Sequence, residues 1–225
     1  MKTIILASAS LRRKELLEQL GIKFKVEPGE FDEGSIRGTA PRDFAEKAAL
    51  GKARTVAAKH RNAIIIAADT IIVSGSRIIG KPHTENEARK ILGRLSGRSH
   101  SVITGFSVID TGNNKAFSAS VETRVRLKKI PPEEIDAYVK SGEPLDKAGA
   151  YAIQGLGAVL VEKIVGDYYN VVGLPLSALA DALKEFGVNI LRLPFPRDSA
   201  RRQASGKSIQ RRKPAVKAAA LPPAA

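Results

Sequence analysis

The fold is most constrained by one apolar run, Ala63-Ile64-Ile65-Ile66-Ala67-Ala68, which is followed directly by Asp69 and Thr70. An isoleucine-rich run of this length predicts a buried β-strand. Asp69 and Thr70 are then expected at the carboxyl end of that strand, where open α/β sheets hold their ligands. A carboxylate there could bind a divalent metal ion or accept a proton from water. The alternative is an aspartate that caps a turn.

Apolar periodicity divides the rest of the chain into helices and strands. The predicted strands lie at residues 3–6, 22–26, 63–73, 77–79, 99–110, 115–127, 150–153 and 158–165. The predicted helices lie at residues 11–21, 41–60, 84–95, 131–140 and 175–186. Some strands follow one another as hairpins and others are separated by helices. The predicted fold class is therefore α/β, with a mixed β-sheet and not a purely parallel one.

The net charge of +14 is unevenly distributed along the chain. Residues 197–225 contain eight Lys and Arg and one Asp, so half of the net charge lies in this segment. It has almost no large apolar side chains, a composition that predicts disorder. We therefore predict one ordered domain at residues 1–195 and a basic, disordered tail at residues 196–225. The modestly basic remainder suits a polyanionic ligand, but it does not choose between a nucleotide and a nucleic acid.

Cysteine and long apolar segments are both missing from the sequence. The lack of cysteine excludes disulfides, thiolate nucleophiles and cysteine-ligated metal sites. The apolar runs are too short to cross a bilayer, so no membrane association is expected. The N-terminus has one Lys and only a brief apolar stretch, so no signal peptide is expected. These features predict a cytoplasmic enzyme or binding protein.

The stretch Ser8-Ala9-Ser10-Leu11-Arg12-Arg13 joins the first predicted strand to the first predicted helix. Unpaired backbone N–H groups at a helix N-terminus, small hydroxyl side chains and guanidinium groups can together bind an anion. Two cations in a first helical turn work against the helix dipole, so a functional reason for them is worth considering. The alternative is a serine N-cap followed by two solvated arginines.

Four further side chains have the chemistry of a nucleotide site. Lys52 lies among small residues of a predicted helix, and Lys81 follows a predicted strand. Each could present its ammonium group to a phosphate, or be a solvated surface lysine. Glu33 lies in an acidic loop and could supply a second carboxylate to a metal ion. Gln154 lies beside a glycine and suits a hydrogen bond to the edge of a base; the alternative is a plain hairpin loop.

Several common catalytic signatures are missing from the sequence. The three histidines, His60, His83 and His100, do not have metal-ligand spacing, and no catalytic role is assigned to them. There is no Ser-His-Asp arrangement, no GxxxxGK[ST] loop and no dinucleotide fingerprint. What remains is a set of cations with one or two carboxylates. Phosphoryl chemistry needs this mixture, because cations offset the phosphate charge while carboxylates hold a metal ion and position water.

Seven short motifs occur in one order along the chain. They are Ser8-x-Ser10-x-Arg12-Arg13-x-x-Leu16-Leu17, Ala68-Asp69-Thr70, Gly80-Lys81-Pro82, Leu95-Ser96-Gly97-Arg98-x-His100, Glu143-Pro144-x-Asp146-Lys147-Ala148-Gly149-Ala150-Tyr151, Gln154-Gly155 and Val172-Gly173-Leu174-Pro175. In this order they resemble the Maf family, the septum-formation-protein relatives that act as nucleoside triphosphate pyrophosphatases. The resemblance runs from about Ile4 to about Leu193 and says nothing about the basic tail.

The resemblance implies an α/β fold with a mixed, elongated β-sheet flanked by helices and a deep cleft, of Maf or ITPase-like type. It implies hydrolysis of a nucleoside triphosphate between its α- and β-phosphates with a divalent metal ion, Mg²⁺ or Mn²⁺. Members are often homodimers. The activity would serve a house-cleaning role on dTTP, UTP and modified pyrimidine triphosphates, with a link to cell-division arrest.

The resemblance also assigns roles to individual residues. The proton acceptor falls on Asp69, and the metal contacts fall on Asp69 and Glu33. The phosphate contacts fall on Ser8, Arg13, Lys52 and Lys81. The residues that choose the substrate fall on Arg12, Thr70 and Gln154. These three residue types are similar to those of the subgroup that takes dTTP and UTP, and not of the subgroup that takes 7-methyl-GTP.

Two alternatives stay open from the sequence. One is a nucleic-acid-binding regulator of cell division, in which the basic tail binds phosphates and the cleft is vestigial. The full set of charged cleft residues argues against a vestigial site. The other is a pyrophosphatase of the inosine-triphosphate type with a similar cleft.

Overall fold

The structure, a computed structural model, describes residues 2–193. Its strands are β1 (Thr3–Leu6), β2 (Phe24–Val26), β3 (Ala63–Ser74), β4 (Arg77–Ile79), β5 (Ser99–Asp110), β6 (Lys115–Leu127) and β7 (Val161–Val165). Its α-helices are α1 (Leu11–Gln19), α2 (Pro41–Ala57), α3 (Glu85–Leu95), α4 (Pro132–Lys140), α5 (Tyr168–Val172) and α6 (Leu176–Glu185). The predicted tail, its disorder and any nucleic-acid contact through it lie outside the described residues.

The strands form a single mixed sheet in the order β2-β1-β3-β5-β6-β7, with β4 paired to β3. β1 is parallel to both β2 and β3, whereas β3, β5, β6 and β7 pair antiparallel in succession. Of these antiparallel pairs, β5 and β6 form a long hairpin that turns at Asn114, which has φ +58°. The predicted fold class, α/β with a mixed sheet flanked by helices, is confirmed.

Side chains alternate along β3, so successive residues point to opposite faces of the sheet, and both faces are buried. Ile64 and Ile66 pack into a core that also contains Leu17 of α1 and Leu179 of α6. Ile65 points the other way, into a cluster built with α2. The apolar run that the sequence shows most clearly is therefore the central layer between helices on both sides.

α2 lies very close to the sheet. Its inner face is made of alanines, and Ala45, Ala48 and Ala49 are completely buried. At the crossing point on β5 lies Gly105, where an added Cβ would be 2.2 Å from the main chain of Ala45. Only a residue without a side chain fits there, so the helix backbone rests directly on the sheet.

Two predicted strands are changed in the structure. Residues 150–153 are not a strand, because the chain turns in a short 3-10 helix at Ala148–Ala150 and Ala150 has φ +58°. The strand predicted at 158–165 begins later, because Gly155–Leu160 forms a 3-10 helix before β7. The short helix α5 was not predicted, since its five residues do not establish a helical period.

No helix of residues 2–193 is long and apolar enough to cross a membrane.

Candidate active site

The sequence predicted that Asp69 would lie at the carboxyl end of its strand, and this prediction was wrong. Asp69 is inside β3, which continues to Ser74 and pairs Asp69 with Gly105 of β5. The strand that ends is β1, whose last parallel pair joins Leu6 to Ile66. Beyond this point one edge of β3 is open next to Asp69. The expected ligand crevice is therefore present, but the end of β1 creates it.

A cleft of about 1170 Å³ opens at this edge. The structure brings every predicted site residue to its lining, although they come from six separate parts of the chain. They are Ser8, Arg12, Arg13, Glu33, Lys52, Asp69, Thr70, Lys81 and Gln154. Four of these side chains are cationic and two are anionic, so the cleft suits a ligand with several negative charges.

The two carboxylates in the cleft are joined by Lys52. Its Nζ lies 2.6 Å from Oδ1 of Asp69 and 2.6 Å from Oε1 of Glu33. The side chains of Lys52 and Asp69 are only 17% and 10% exposed. Asp69 reaches Lys52 because it follows Ala67 on the face of β3 that carries α2. A charged carboxylate at such burial is stabilised by an opposite charge in contact with it.

Glu33 reaches this cluster because its loop packs on α2. The ring of Phe31 lies over Gly51, where an added Cβ would be 2.4 Å from the ring. The neighbouring Asp32 has a structural role, since its Oδ1 accepts a hydrogen bond of 2.9 Å from the Gly34 N–H and caps a short turn. Of the three acidic residues in this loop, Glu30, Asp32 and Glu33, only Glu33 pairs with Lys52.

The donor set fits a divalent metal ion of the Mg²⁺ class. Among residues 2–193, no three His, Cys, Asp or Glu side chains are grouped to hold a metal ion. Asp69 and Glu33 nevertheless share one cation, the Lys52 ammonium. Mg²⁺ is usually bound by one or two carboxylates, with water and substrate phosphates as its other ligands. Two carboxylates that already flank a positive group have the required chemistry.

Arg13 is held by the protein at three points on the opposite face of β3. Its Nε donates to the Gly173 carbonyl at 2.8 Å, its Nη2 to Thr70 Oγ1 at 2.9 Å and its Nη1 to Ser8 Oγ at 3.2 Å. Thr70 is held in turn by Thr104, with 3.0 Å between their hydroxyl oxygens. The guanidinium group is therefore fixed in direction before any ligand binds.

The electrostatic environment of Arg13 is a balance between burial and nearby carboxylates. Burial lowers its pKa, and the negative charge of Asp69 opposes that shift. An arginine remains charged under these conditions, because its unperturbed pKa is far above neutrality. The cleft thus contains a fixed, partly desolvated positive charge. Such a charge interacts more strongly with a phosphate than a solvated one does.

The turn before α1 combines both interpretations made from the sequence. Ser10 is the N-cap, and its Oγ accepts a weak hydrogen bond of 3.5 Å from the Arg13 N–H. The first turn contains no acidic residue. The serine N-cap is confirmed, but Arg13 is not a solvated arginine.

Arg12 and Gln154 lie at another part of the cleft, near the loop that follows α4. The pKa of Asp146 in this loop is lowered chiefly by a hydrogen bond from Lys147, and Arg12 adds a smaller effect of the same sign. Lys81 is exposed on the rim. Thr70, the third residue predicted to choose the substrate, is bound to Arg13.

His100, which has no predicted role, is buried beside the cleft wall. Its side chain is 4% exposed, and its Nε2 lies 2.7 Å from the hydroxyl oxygen of Tyr151. Its Nδ1 has no hydrogen-bond partner in the described part of the chain. Burial lowers the pKa of His100 from 6.5 to about 4.

This pKa predicts a loss of stability in mild acid. Between pH 6.5 and 4 the unfolded chain binds a proton at His100 and the folded protein does not, so stability falls as the pH falls. Relative to pH 7, we expect the free energy of unfolding at pH 5 to be lower by about 2 kcal/mol from this residue. Urea unfolding at both pH values measures it. His100→Gln should reduce the pH dependence, whereas the exposed His83→Gln should not; equal behaviour of both variants would contradict the prediction.

Three positions that hold the site were not assigned roles from the sequence. Thr104 supports Thr70, the Gly173 carbonyl supports Arg13, and the Glu143 carboxylate binds the loop after Gln154. Gly173 and Glu143 do lie in the quoted motifs, which was a signal that they matter. Their contacts span long sequence separations, so no local pattern shows what they touch.

Comparison with known proteins gives a consistent result. A sequence profile of the family described as Maf-like protein matches residues 3–186. A dTTP/UTP pyrophosphatase of Dictyoglomus turgidum is 50% identical over 191 residues, which are 84% of this chain and 99% of that protein. A dTTP/UTP pyrophosphatase of Clostridioides difficile is 46% identical over 188 residues, 83% of this chain and 97% of that protein.

Among solved structures, a HAM1 protein from Coxiella burnetii superposes with a TM-score of 0.49 at 19% identity, covering 82% of this chain and 100% of that one. The family assignment rests on the sequence relatives. With a profile match over most of its length and relatives at about half identity, the chain belongs to the Maf-like protein family.

Proposed function

We propose that the protein is a nucleoside triphosphate pyrophosphatase that hydrolyses dTTP and UTP to the monophosphate and diphosphate. The observation that carries this proposal is the cleft itself, in which a buried carboxylate, Asp69, lies among four cationic side chains. The names of the relatives, which are dTTP/UTP pyrophosphatases, support the choice of substrate.

Asp69 is proposed as the proton acceptor for the attacking water. Its carboxylate is held rigidly, because β3 pairs with β5 at the residues before and after Asp69. Deprotonated water would attack the α-phosphorus, and diphosphate would leave with the bonding electrons. The negative charge that moves onto diphosphate requires fixed positive groups. Arg13 and Lys81 are proposed to supply them, with Ser8 as a hydrogen-bonding partner.

Asp69 and Glu33 are proposed to hold the divalent metal ion, Mg²⁺ or Mn²⁺. When bound, the ion supplies Lewis-acid stabilisation of the phosphate oxygens. Lys52 lies between these two carboxylates. A second cation there would repel its ammonium group, which would then be available to the phosphates. This accommodates both predicted roles, metal binding by the carboxylates and phosphate binding by Lys52.

Substrate choice is proposed to depend on Arg12 and Gln154, with Thr70 acting indirectly. Gln154 carries both a donor and an acceptor, as recognition of a pyrimidine edge requires. A base that leaves these groups unpaired would bind more weakly. The Thr70 hydroxyl is already bound to Arg13 and Thr104, so its effect would come from how it holds Arg13.

The proposal is tested by diphosphate release across a panel of dTTP, UTP, CTP, dATP, GTP and ITP, with Mg²⁺, with Mn²⁺ and with EDTA. We expect dTTP and UTP to give the highest kcat/KM, and EDTA to lower the rate by at least about 100-fold. Release of orthophosphate, or a preference for ITP or other purines, would overturn the substrate assignment. Full activity in EDTA would overturn the metal assignment.

Other consequences of the resemblance remain predictions. They are cytoplasmic location, a homodimer, action on modified pyrimidine triphosphates and a link to cell-division arrest. Sedimentation analysis of the purified protein tests the homodimer directly.

A further inference from the structure

We propose that Glu143 is a positioning residue for nucleotide choice, acting by fixing the loop that carries Gln154. This inference rests on the proposed function, because it deepens the account of how one base is preferred. Glu143 stands in a 3-10 helix, Glu143–Asp146, that follows α4. Its side chain contacts the loop that follows Gln154.

The carboxylate of Glu143 ties down the chain just after Gln154. Its Oε2 accepts a hydrogen bond of 2.9 Å from the Leu156 N–H, and its Oε1 accepts one of 2.9 Å from the Gly157 N–H. These are consecutive backbone groups at the start of the Gly155–Leu160 turn. The two bonds resemble the way in which an acidic N-cap holds a helix start.

Tyr138 of α4 ties down the same loop on the other side of Gln154. Its hydroxyl donates to Glu143 Oε1 at 2.8 Å and accepts a longer hydrogen bond of 3.3 Å from the Ala152 N–H. The loop is thus held two residues before Gln154 and again two and three residues after it. Only Ile153, Gln154 and Gly155 are left between these fixed points.

The charge of Glu143 is maintained by these contacts. Burial raises its pKa, but the N–H groups of Gly157 and Leu156 and the hydroxyl of Tyr138 outweigh burial, so the pKa is below its ordinary value. All three donors belong to the protein. The carboxylate is therefore committed to the loop, and its effect on a nucleotide passes through Gln154.

A double-mutant cycle tests this assignment. The variants are Glu143→Ala, Gln154→Ala and the double variant, with Glu162→Ala as the control because Glu162 is exposed and paired with Arg126 on β6. The readout is the preference for the pyrimidine. It is the dissociation constant for α,β-imido dATP divided by the one for α,β-imido dUTP, and neither nucleotide can be hydrolysed. We expect Gln154→Ala and Glu143→Ala each to lower this preference by about tenfold. In the double variant, Glu143→Ala should lower the preference by less than about twofold beyond the effect of Gln154→Ala.

Tyr138→Phe is a milder companion, since it removes one hydroxyl and keeps both the carboxylate and the ring. It should shift the preference in the same direction by a smaller factor. Independent losses that multiply in the double variant, or an unchanged preference in Glu143→Ala, would overturn the inference. A thermal melting point measured for each variant shows whether the protein remains folded.

The failure of this inference and the failure of the proposed function are distinguishable. Binding of the imido nucleotides does not require hydrolysis, so the cycle gives a result even if the parent protein releases no diphosphate. Absence of diphosphate release would contradict the proposed function alone. Equal affinity of the parent for dUTP and dATP analogues would overturn the role of Glu143.

Discussion

Asp69→Asn is expected to lower the rate of dTTP hydrolysis by between about 10² and 10⁴, the usual contribution of a general base. Asparagine has nearly the same shape, and its amide oxygen can still accept the hydrogen bond from Lys52 that Asp69 Oδ1 accepts at 2.6 Å. It cannot take a proton from water. The folded protein should therefore remain, with nucleotide binding largely retained. Diphosphate release and nucleotide affinity are measured on the same preparation.

Asp110→Asn is the matched control for this variant. Asp110 is also a buried aspartate on the β3–β5 ladder, but it lies at the other end and pairs with Lys2 at 2.6 Å. Removing its charge should cost about 2 kcal/mol in the free energy of unfolding and leave kcat within about twofold. If both variants kept full activity, Asp69 would not be the proton acceptor. If both lost it, the loss would come from the sheet and not from the site.

Arg13→Lys is expected to lower kcat/KM for dTTP by about 100-fold and the free energy of unfolding by about 2 kcal/mol. A lysine keeps the charge but cannot donate to the Gly173 carbonyl, Ser8 and Thr70 with one planar group. These partners would lose their donor and the charge would lose its fixed direction. Steady-state kinetics and urea unfolding measure the two effects.

Arg12→Lys provides the comparison from the adjacent position. Arg12 lies in the same first turn of α1, on the side of the cleft near Asp146. Its replacement should change the preference among nucleotides more than the stability, with the free energy of unfolding within about 0.5 kcal/mol of the parent. If the two lysine variants behaved alike in both measurements, the structural distinction between the arginines would have no functional meaning.

The sequence predicted the sheet well where alternation was long and regular. The bounds of β5 and β6 match the prediction. In β6 the alternation of apolar or small residues with polar ones runs from Phe117 to Leu127, whereas β5 is buried along nearly its whole length. The prediction was wrong at 150–153, where the residue types suit a strand but positive φ at Ala150 turns the chain. Local patterns do not show such a turn, since the backbone there is fixed by hydrogen bonds to distant residues, such as Gly149 N–H to Gly80 carbonyl at 3.0 Å.

The membership of the cleft could be predicted, but its internal contacts could not. Side-chain chemistry and the family resemblance were enough to select nine of the residues that line it. Sequence did not show that Lys52 joins the two carboxylates, or that Thr70 binds Arg13 across 57 positions of the chain. Those contacts depend on how closely α2 and α1 lie against the sheet. The sequence shows which chemical groups a side chain carries, but which residues these groups contact depends on how the whole chain packs.

The alternation of side chains along β3 has a consequence for how this protein can diversify. Asp69 points toward Lys52 and Glu33 on α2 and its loop, while the adjacent Thr70 points toward Arg13 on α1. The carboxylate cluster and the support of Arg13 are thus separated by the thickness of a single strand. A lineage could replace Thr70, or Arg12 on α1, without disturbing the carboxylate cluster. New nucleotide preferences could then arise by single substitutions that each leave a working hydrolase.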